Sequence, residues 1–168
     1  IGDPTFAFAP QKEILGGFDI ARAIVTEKNN VAYWKKVLKA DIASEAKALA
    51  IQMLYNNNAI TSSELLEIAK TSPYSHVRLE AFMTNKQVAD ENPVEAIKIA
   101  LKDNYEITQR MAMITAGKNA SPELIPYVAD AYMNPATSQR VYFQAAGALD
   151  VFDPQAMVEA MEGNKEKY

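Results

Sequence analysis

Helix-start signals recur along this chain at a nearly constant interval, and that interval constrains what it can fold into. Asn92-Pro93-Val94-Glu95 sets a capping residue ahead of a proline, with a glutamate three positions after the cap. Ser121-Pro122-Glu123 and Asp153-Pro154-Gln155 repeat the cap–proline pair, Thr61-Ser62-Ser63-Glu64 is a capping box without the proline, and Asn30 precedes the Val31 run in the same way. A cap oxygen accepts a hydrogen bond from a free N–H of the first helical turn. Proline at the first helical position lacks only an N–H that would find no partner there anyway. The starts fall at 30, 61, 92, 121 and 153, in steps of 31, 31, 29 and 32. Regular punctuation at this length marks an array of similar helical units.

Two further markers keep the same beat. Lys47, Arg78, Arg110 and Arg140 are spaced by 31, 32 and 30, and three of the four arginines in the chain fall on this series. Six residues before each cation stands a polar turn-former, Asp41, Ser72, Asn104 or Asn134, with Asp103 able to take the place of Asn104. Such side chains satisfy local backbone groups in short turns. First helices are therefore expected at 31–40, 62–70, 93–103, 122–133 and 154–163, and second helices at 44–56, 75–89, 106–118 and 137–150. Residues 18–28 read as an N-terminal half repeat, and residues 1–17, with Pro4, Pro10, Gly16 and Gly17, as an irregular lead-in. Ile97, Ala100 and Leu101 stand on one face of a 3.6-residue period. Pro126 is expected to kink the first turns of its helix. No β-branched alternation of useful length is present. The expectation is an all-α chain, a right-handed α-α superhelix of about four helix–turn–helix repeats, each ~31 residues long, with terminal half repeats. The repeats run over about 30–60, 61–91, 92–120 and 121–152, with a half repeat at 153–163, in one domain covering 18–168.

A polar turn, a cation six residues on and a second helix rich in small residues resemble the HEAT-like repeats, in the short form named after the phycobilisome bilin lyases. The match is carried by Leu101-Lys102-Asp103 through Gln109-Arg110, by Ser75-His76-Val77-Arg78-Leu79-Glu80-Ala81, and by Asn134 through Arg140 with Ala145-Ala146-Gly147-Ala148-Leu149. It covers roughly 30–163, with Lys47 in place of the usual arginine. The resemblance implies that the turn residue and the cation bond between adjacent repeats. It assigns Asp41, Lys47, Ser72, Arg78, Asp103, Asn104, Arg110, Asn134 and Arg140 to a structural ladder.

The residues give no catalytic set. His76 is the only histidine and there is no cysteine, which removes thiolate chemistry and leaves no cluster of the kind zinc needs. No calcium loop or phosphate-loop fingerprint occurs. The carboxylate pairs Glu64/Glu67, Asp90/Glu91 and Glu159/Glu162 fit solvated positions at helix starts, in a turn and near a helix end. No cofactor is expected. A net charge of −4 weighs against a nucleic-acid partner, and the lysine cluster at 35, 36 and 39 reads as a solvated helix face. No apolar run reaches the ~18 residues of a membrane span.

The aromatics are the better lead. Tyr33, Trp34, Tyr55, Tyr74, Tyr105, Tyr127, Tyr132 and Tyr142 recur along the array, and such residues serve both helix packing and protein interfaces. Tyr74, Tyr105 and Tyr142 are the candidates for an interaction surface. The expected function is a non-catalytic binding or scaffold module for a protein partner or for another domain of its own chain. The apolar last helix (Ala156, Met157, Val158, Ala160, Met161) and the start at Ile1 lead to the expectation of an accessory domain of a longer protein, leaning towards a secreted or periplasmic one. The rival expectations are a bilin lyase or isomerase, from the namesake of the repeat form, and a HEAT-like nucleic-acid binder.

Overall fold

A computed structural model of the chain describes residues 17–88 and 93–168. The lead-in at 1–16, the Asp90/Glu91 pair and the Asn92 cap lie outside the described residues. The chain forms two compact units, divided between Asp90 and Glu91. The described residues contain ten α-helices, two 3-10 turns and no strand.

In the first unit α1 (Gly17–Thr26) is followed by α2 (Val31–Lys39), α3 (Ser44–Asn56), α4 (Ser62–Thr71) and α5 (Ser75–Asn85). The pairs α2/α3 and α4/α5 pack internally, and α3 packs on α5. The caps follow the sequence signals. Asn30 Oδ1 accepts from Tyr33 N at 3.0 Å, while Asn30 Nδ2 donates to Glu27 Oε2 at 2.9 Å. The Trp34 indole N–H donates to the Glu27 carbonyl at 2.8 Å, tying the end of α1 to the core of α2. Thr61 and Glu64 form a reciprocal capping box, with bonds of 3.2 and 2.8 Å. The α3 helix ends in a Schellman motif: Asn58, at φ 53°, is the left-handed residue, Ala59 N reaches Leu54 O at 2.8 Å and Asn58 N reaches Tyr55 O at 2.9 Å.

The second unit contains α6 (Pro93–Leu101), α7 (Glu106–Asn119), a 3-10 turn (Pro122–Leu124) leading into α8 (Ile125–Met133), α9 (Gln139–Ala148), a second 3-10 turn (Leu149–Val151) and α10 (Pro154–Gly163). Here α6 packs on α7, α8 on α9, α7 on α9 and α8 on α10. The expected single helix at 122–133 and its kink are replaced by this change of helix type. Pro126 falls in the first turn of α8, where its missing N–H disrupts no bond. Ser121 makes no side-chain cap; its backbone N–H donates to Asn119 Oδ1 at 3.1 Å instead. Asp153 caps α10 through Ala156 N at 2.8 Å. Elsewhere the expected helix limits are met to within about four residues.

Along the second helices one position is invariant in kind. Counting from each helix start, the seventh residue is Ala50, Ala81, Ala112 or Ala145, and each has 0% of its surface exposed. The third is Ala46, Val77, Thr108 or Val141, each at most 3% exposed. A methyl group at the centre of the buried face lets neighbouring backbones approach closely. Further along the same two helices of the second unit the approach is also close: a Cβ built on Gly117 of α7 would lie 3.4 Å from the Ala148 Cβ of α9.

Lengthening Ala81 or Ala112 to leucine is expected to lower stability by about 1–3 kcal/mol, because a packed core has no room for three added carbons; urea denaturation reads it out. Ala120 ends α7 at φ 55°, a left-handed conformation that costs any residue with a Cβ. Ala120→Gly is expected to raise stability by about 0.5–1 kcal/mol in the same assay.

Candidate functional site

The turns within the helix pairs place the residues of the expected ladder. Ser72 Oγ accepts from Tyr74 N at 3.3 Å, Asp103 Oδ1 from Tyr105 N at 2.8 Å, and Asn134 Oδ1 from Ala136 N at 2.9 Å. Each is a side chain closing its own turn two residues on. In the third pair the acceptor is thus Asp103, which is buried, while Asn104 is exposed. These three acceptors fall at 72, 103 and 134, each step being 31, and Asp41 stands one further step back in the sequence.

The cations separate into two groups. Lys47 and Arg78 are each the fourth residue of their helix. Lys47 Nζ donates to Leu38 O at 2.9 Å and Arg78 donates a guanidinium N–H to Ser72 O at 2.9 Å, so each reaches back over its own turn. Burial pushes the Lys47 ammonium below its ordinary pKa, partly opposed by the Asp41 carboxylate. In α7 the fourth residue is Gln109, and Arg110, one position on, has a buried Nε with no hydrogen-bond partner. In α9 Arg140 is only the second residue, because the turn from Asn134 to the helix start is two residues longer than in the other pairs. It is largely exposed and lies 3.8 Å from Glu106 of α7, in the neighbouring pair.

Of the aromatic candidates, Tyr74 belongs to the first unit, and Tyr105 and Tyr142 to the second. Tyr74 and Tyr105 are the residues just before α5 and α7 and are half-buried. The Lys47 ammonium lies 5.9 Å from the Tyr74 ring centroid. Tyr142 stacks on Tyr132, with centroids 5.1 Å apart and planes at 16°, and meets Phe143 edge-on at 5.7 Å. The neighbouring Tyr132 hydroxyl pushes the Tyr142 phenol above its ordinary pKa. Phe143, 60% exposed, and Ile107 on α7, 42% exposed, add apolar surface that the sequence did not single out. Tyr33 and Trp34 are core residues. Glu64 is spent in its capping box, Glu159 accepts from Gln155, and Glu162 lies 3.6 Å from Lys165.

Each unit has a concavity of about 470 Å³ lined by described residues. In the first unit a groove across α1, α3 and α5 has Leu49 and Leu79 with Glu45, Glu80 and the exposed His76. In the second unit a pocket lies between the end of α6 and the Asn134–Ser138 turn, walled by Tyr127, Gln109 and Val141. Its far side is closed by the C-terminal segment, where Lys167 pairs with Asp130 and the Tyr168 hydroxyl donates to the same carboxylate at 2.6 Å. Lys98 pairs with Glu123 at 2.6 Å, a bond that raises the ammonium pKa, and Lys102 lies 5.2 Å from the Tyr127 ring centroid. Among the described residues no three or more His, Cys, Asp or Glu side chains are grouped to hold a metal ion, and no helix is long and apolar enough to cross a membrane. No protein-family model, curated protein or solved structure matches the chain.

Asp103→Ala removes a buried turn acceptor and is expected to cost about 1–2 kcal/mol, against less than about 0.5 kcal/mol for the exposed Asn104; paired denaturation curves compare them. Partial burial raises the Asp130 pKa, but the bonds from Lys167 and Tyr168 outweigh it and hold the carboxyl below its ordinary value. A lowered folded-state pKa means the clasp contributes fully above the ordinary aspartate range and is lost as pH falls through the lowered value. The amide signals of residues 165–168 are therefore expected to stay constant from about pH 7 to 5 and to move only below about pH 4.

Proposed function

We propose that the chain is a HEAT-like repeat module that binds another protein, or another domain of its own chain, and carries out no chemistry itself. In this reading the helix pairs are the repeats, and the α7–α9 side of the second unit supplies the binding surface. The observation that carries it is the exposed aromatic group on α9. Phe143 stands 60% exposed beside the Tyr132–Tyr142 stack, and nothing in the packing of the unit requires a phenylalanine there: the same position in the other second helices is Ala48, Leu79 or Arg110. Exposed Ile107 and the Arg140/Glu106 pair lie on the same two helices. Rigid aromatics next to charged side chains are the usual composition of an interface with a few dominant anchors.

The test compares proteins retained by the immobilised wild-type chain with those retained by Phe143→Ser and Tyr142→Ala. Both residues are surface-exposed, so melting temperatures should be unchanged within about 2 °C. At least one specific protein is expected to be retained by the wild type and reduced about tenfold or more by Phe143→Ser, which corresponds to a loss of about 1.4 kcal/mol at an anchor. Equal retention by wild type and both variants would remove α9 as the binding surface.

A further inference from the structure

The two units repeat one plan with an offset of 62 residues: α2 and α3 begin at 31 and 44, α6 and α7 at 93 and 106. That offset makes their differences informative. In the first unit Lys47 reaches from α3 to the Leu38 carbonyl at the end of α2 and faces the Tyr74 ring at the head of α5. One long side chain and one ring thus stand across the space between two successive turns. In the second unit the residue at the place of Lys47 is Gln109, and two residues beyond the turn acceptor stands Ala136 instead of Tyr74. The turn itself is two residues longer, so that α9 begins at Gln139, with Ser138 as its cap. Both filling side chains are therefore shortened, and a pocket of about 470 Å³ lies at the place they leave. That volume is in the range of small-molecule sites.

The lining selects the ligand. Leu101, Met113 and Val141 contribute an apolar surface and the Tyr127 ring one wall, while Gln109 and Thr137 offer hydrogen-bonding groups. Three charged side chains line the space, Lys102, Lys167 and Asp130. Lys167 and the Tyr168 hydroxyl already satisfy the Asp130 carboxylate. Lys98, one turn before Lys102, is matched by Glu123. Lys102 lies over the face of Tyr127 and forms no ion pair among the described residues, which leaves one positive charge in the lining without a counter-ion there. We infer that the second unit carries a binding pocket, between the end of α6 and the α8–α9 turn, for a small molecule that joins one carboxylate to a flat apolar body. The carboxylate pairs with Lys102 and bonds to Gln109; the apolar body lies against Tyr127 and Met113. The site is separate from the exposed α9 residues of the protein-binding reading and does not depend on it.

The test uses indole-3-acetate and its neutral counterpart indole-3-acetamide, titrated into the 15N-labelled full chain. Indole-3-acetate is expected to give saturable shifts at Gln109, Tyr127, Thr137 and Ser138, and the amide to bind at least about tenfold more weakly, because it lacks the charge that pairs with Lys102. Lys102→Met should bring the acetate down to the affinity of the amide. Gln109→Lys with Ala136→Tyr, which restores the side chains of the first unit, should abolish binding of both. Lys102 is exposed, so its variant leaves the fold intact and decides the matter even if the double variant is unstable. No saturable shift at these residues, equal binding of acetate and amide, or acetate binding unchanged in Lys102→Met would each overturn the inference.

Discussion

The close approach of the second helices within each unit is the constraint on which the rest depends. Helices joined by short turns can stack only if the side chain at the centre of the contact is small, and the chain meets that need with alanine at the seventh position of all four second helices. Larger apolar side chains are placed around this row rather than on it: Ile51, Phe82 and Met113 follow the alanine directly and are buried. The first helices then close each pair with Trp34, Leu65, Ile97 and Val128. Small residues set the spacing and large ones fill what is left, which is how a core reaches native density without strain.

Much of this was legible in the sequence because the strongest local signals act over three or four residues. Asn30, Thr61 and Asp153 cap the helices they announce, since a cap bond needs only the side chain and the first turn. The third pair shows where such reading slips. Asp103 and Asn104 are adjacent, both suit a turn, and the arginine at 110 favours Asn104 if a spacing of six is imposed. The carboxylate of Asp103 bonds to Tyr105 N, the helix starts accordingly, and Gln109 takes the position that Lys47 and Arg78 hold in the first unit. The pattern of cations continued one residue out of step with the structure.

The features that bear on function were less legible, because they arise from what is missing at a position. The pocket of the second unit follows from two added turn residues and two shortened side chains, none of which is a motif. The exposure of Phe143 follows from which face of α9 lacks a neighbour, and composition says nothing of that. The aromatic list named Tyr142 but not the phenylalanine next to it, since a lone Phe in a helix is read first as core.

The clasp of Lys167 and Tyr168 on Asp130 has a consequence for the order in which the chain folds. Most contacts in the second unit join helices that are neighbours in sequence or once removed, and such contacts form with little loop-closure entropy. The clasp instead joins groups 37 and 38 residues apart, and it requires α8, α9 and α10 to be in place before its partners can meet. It also rests on exposed polar groups rather than on buried apolar surface. The last segment of the chain is therefore the last to dock and the first to release, at a free energy well below that of global unfolding. In exchange experiments its amides would open independently of the helices they close over.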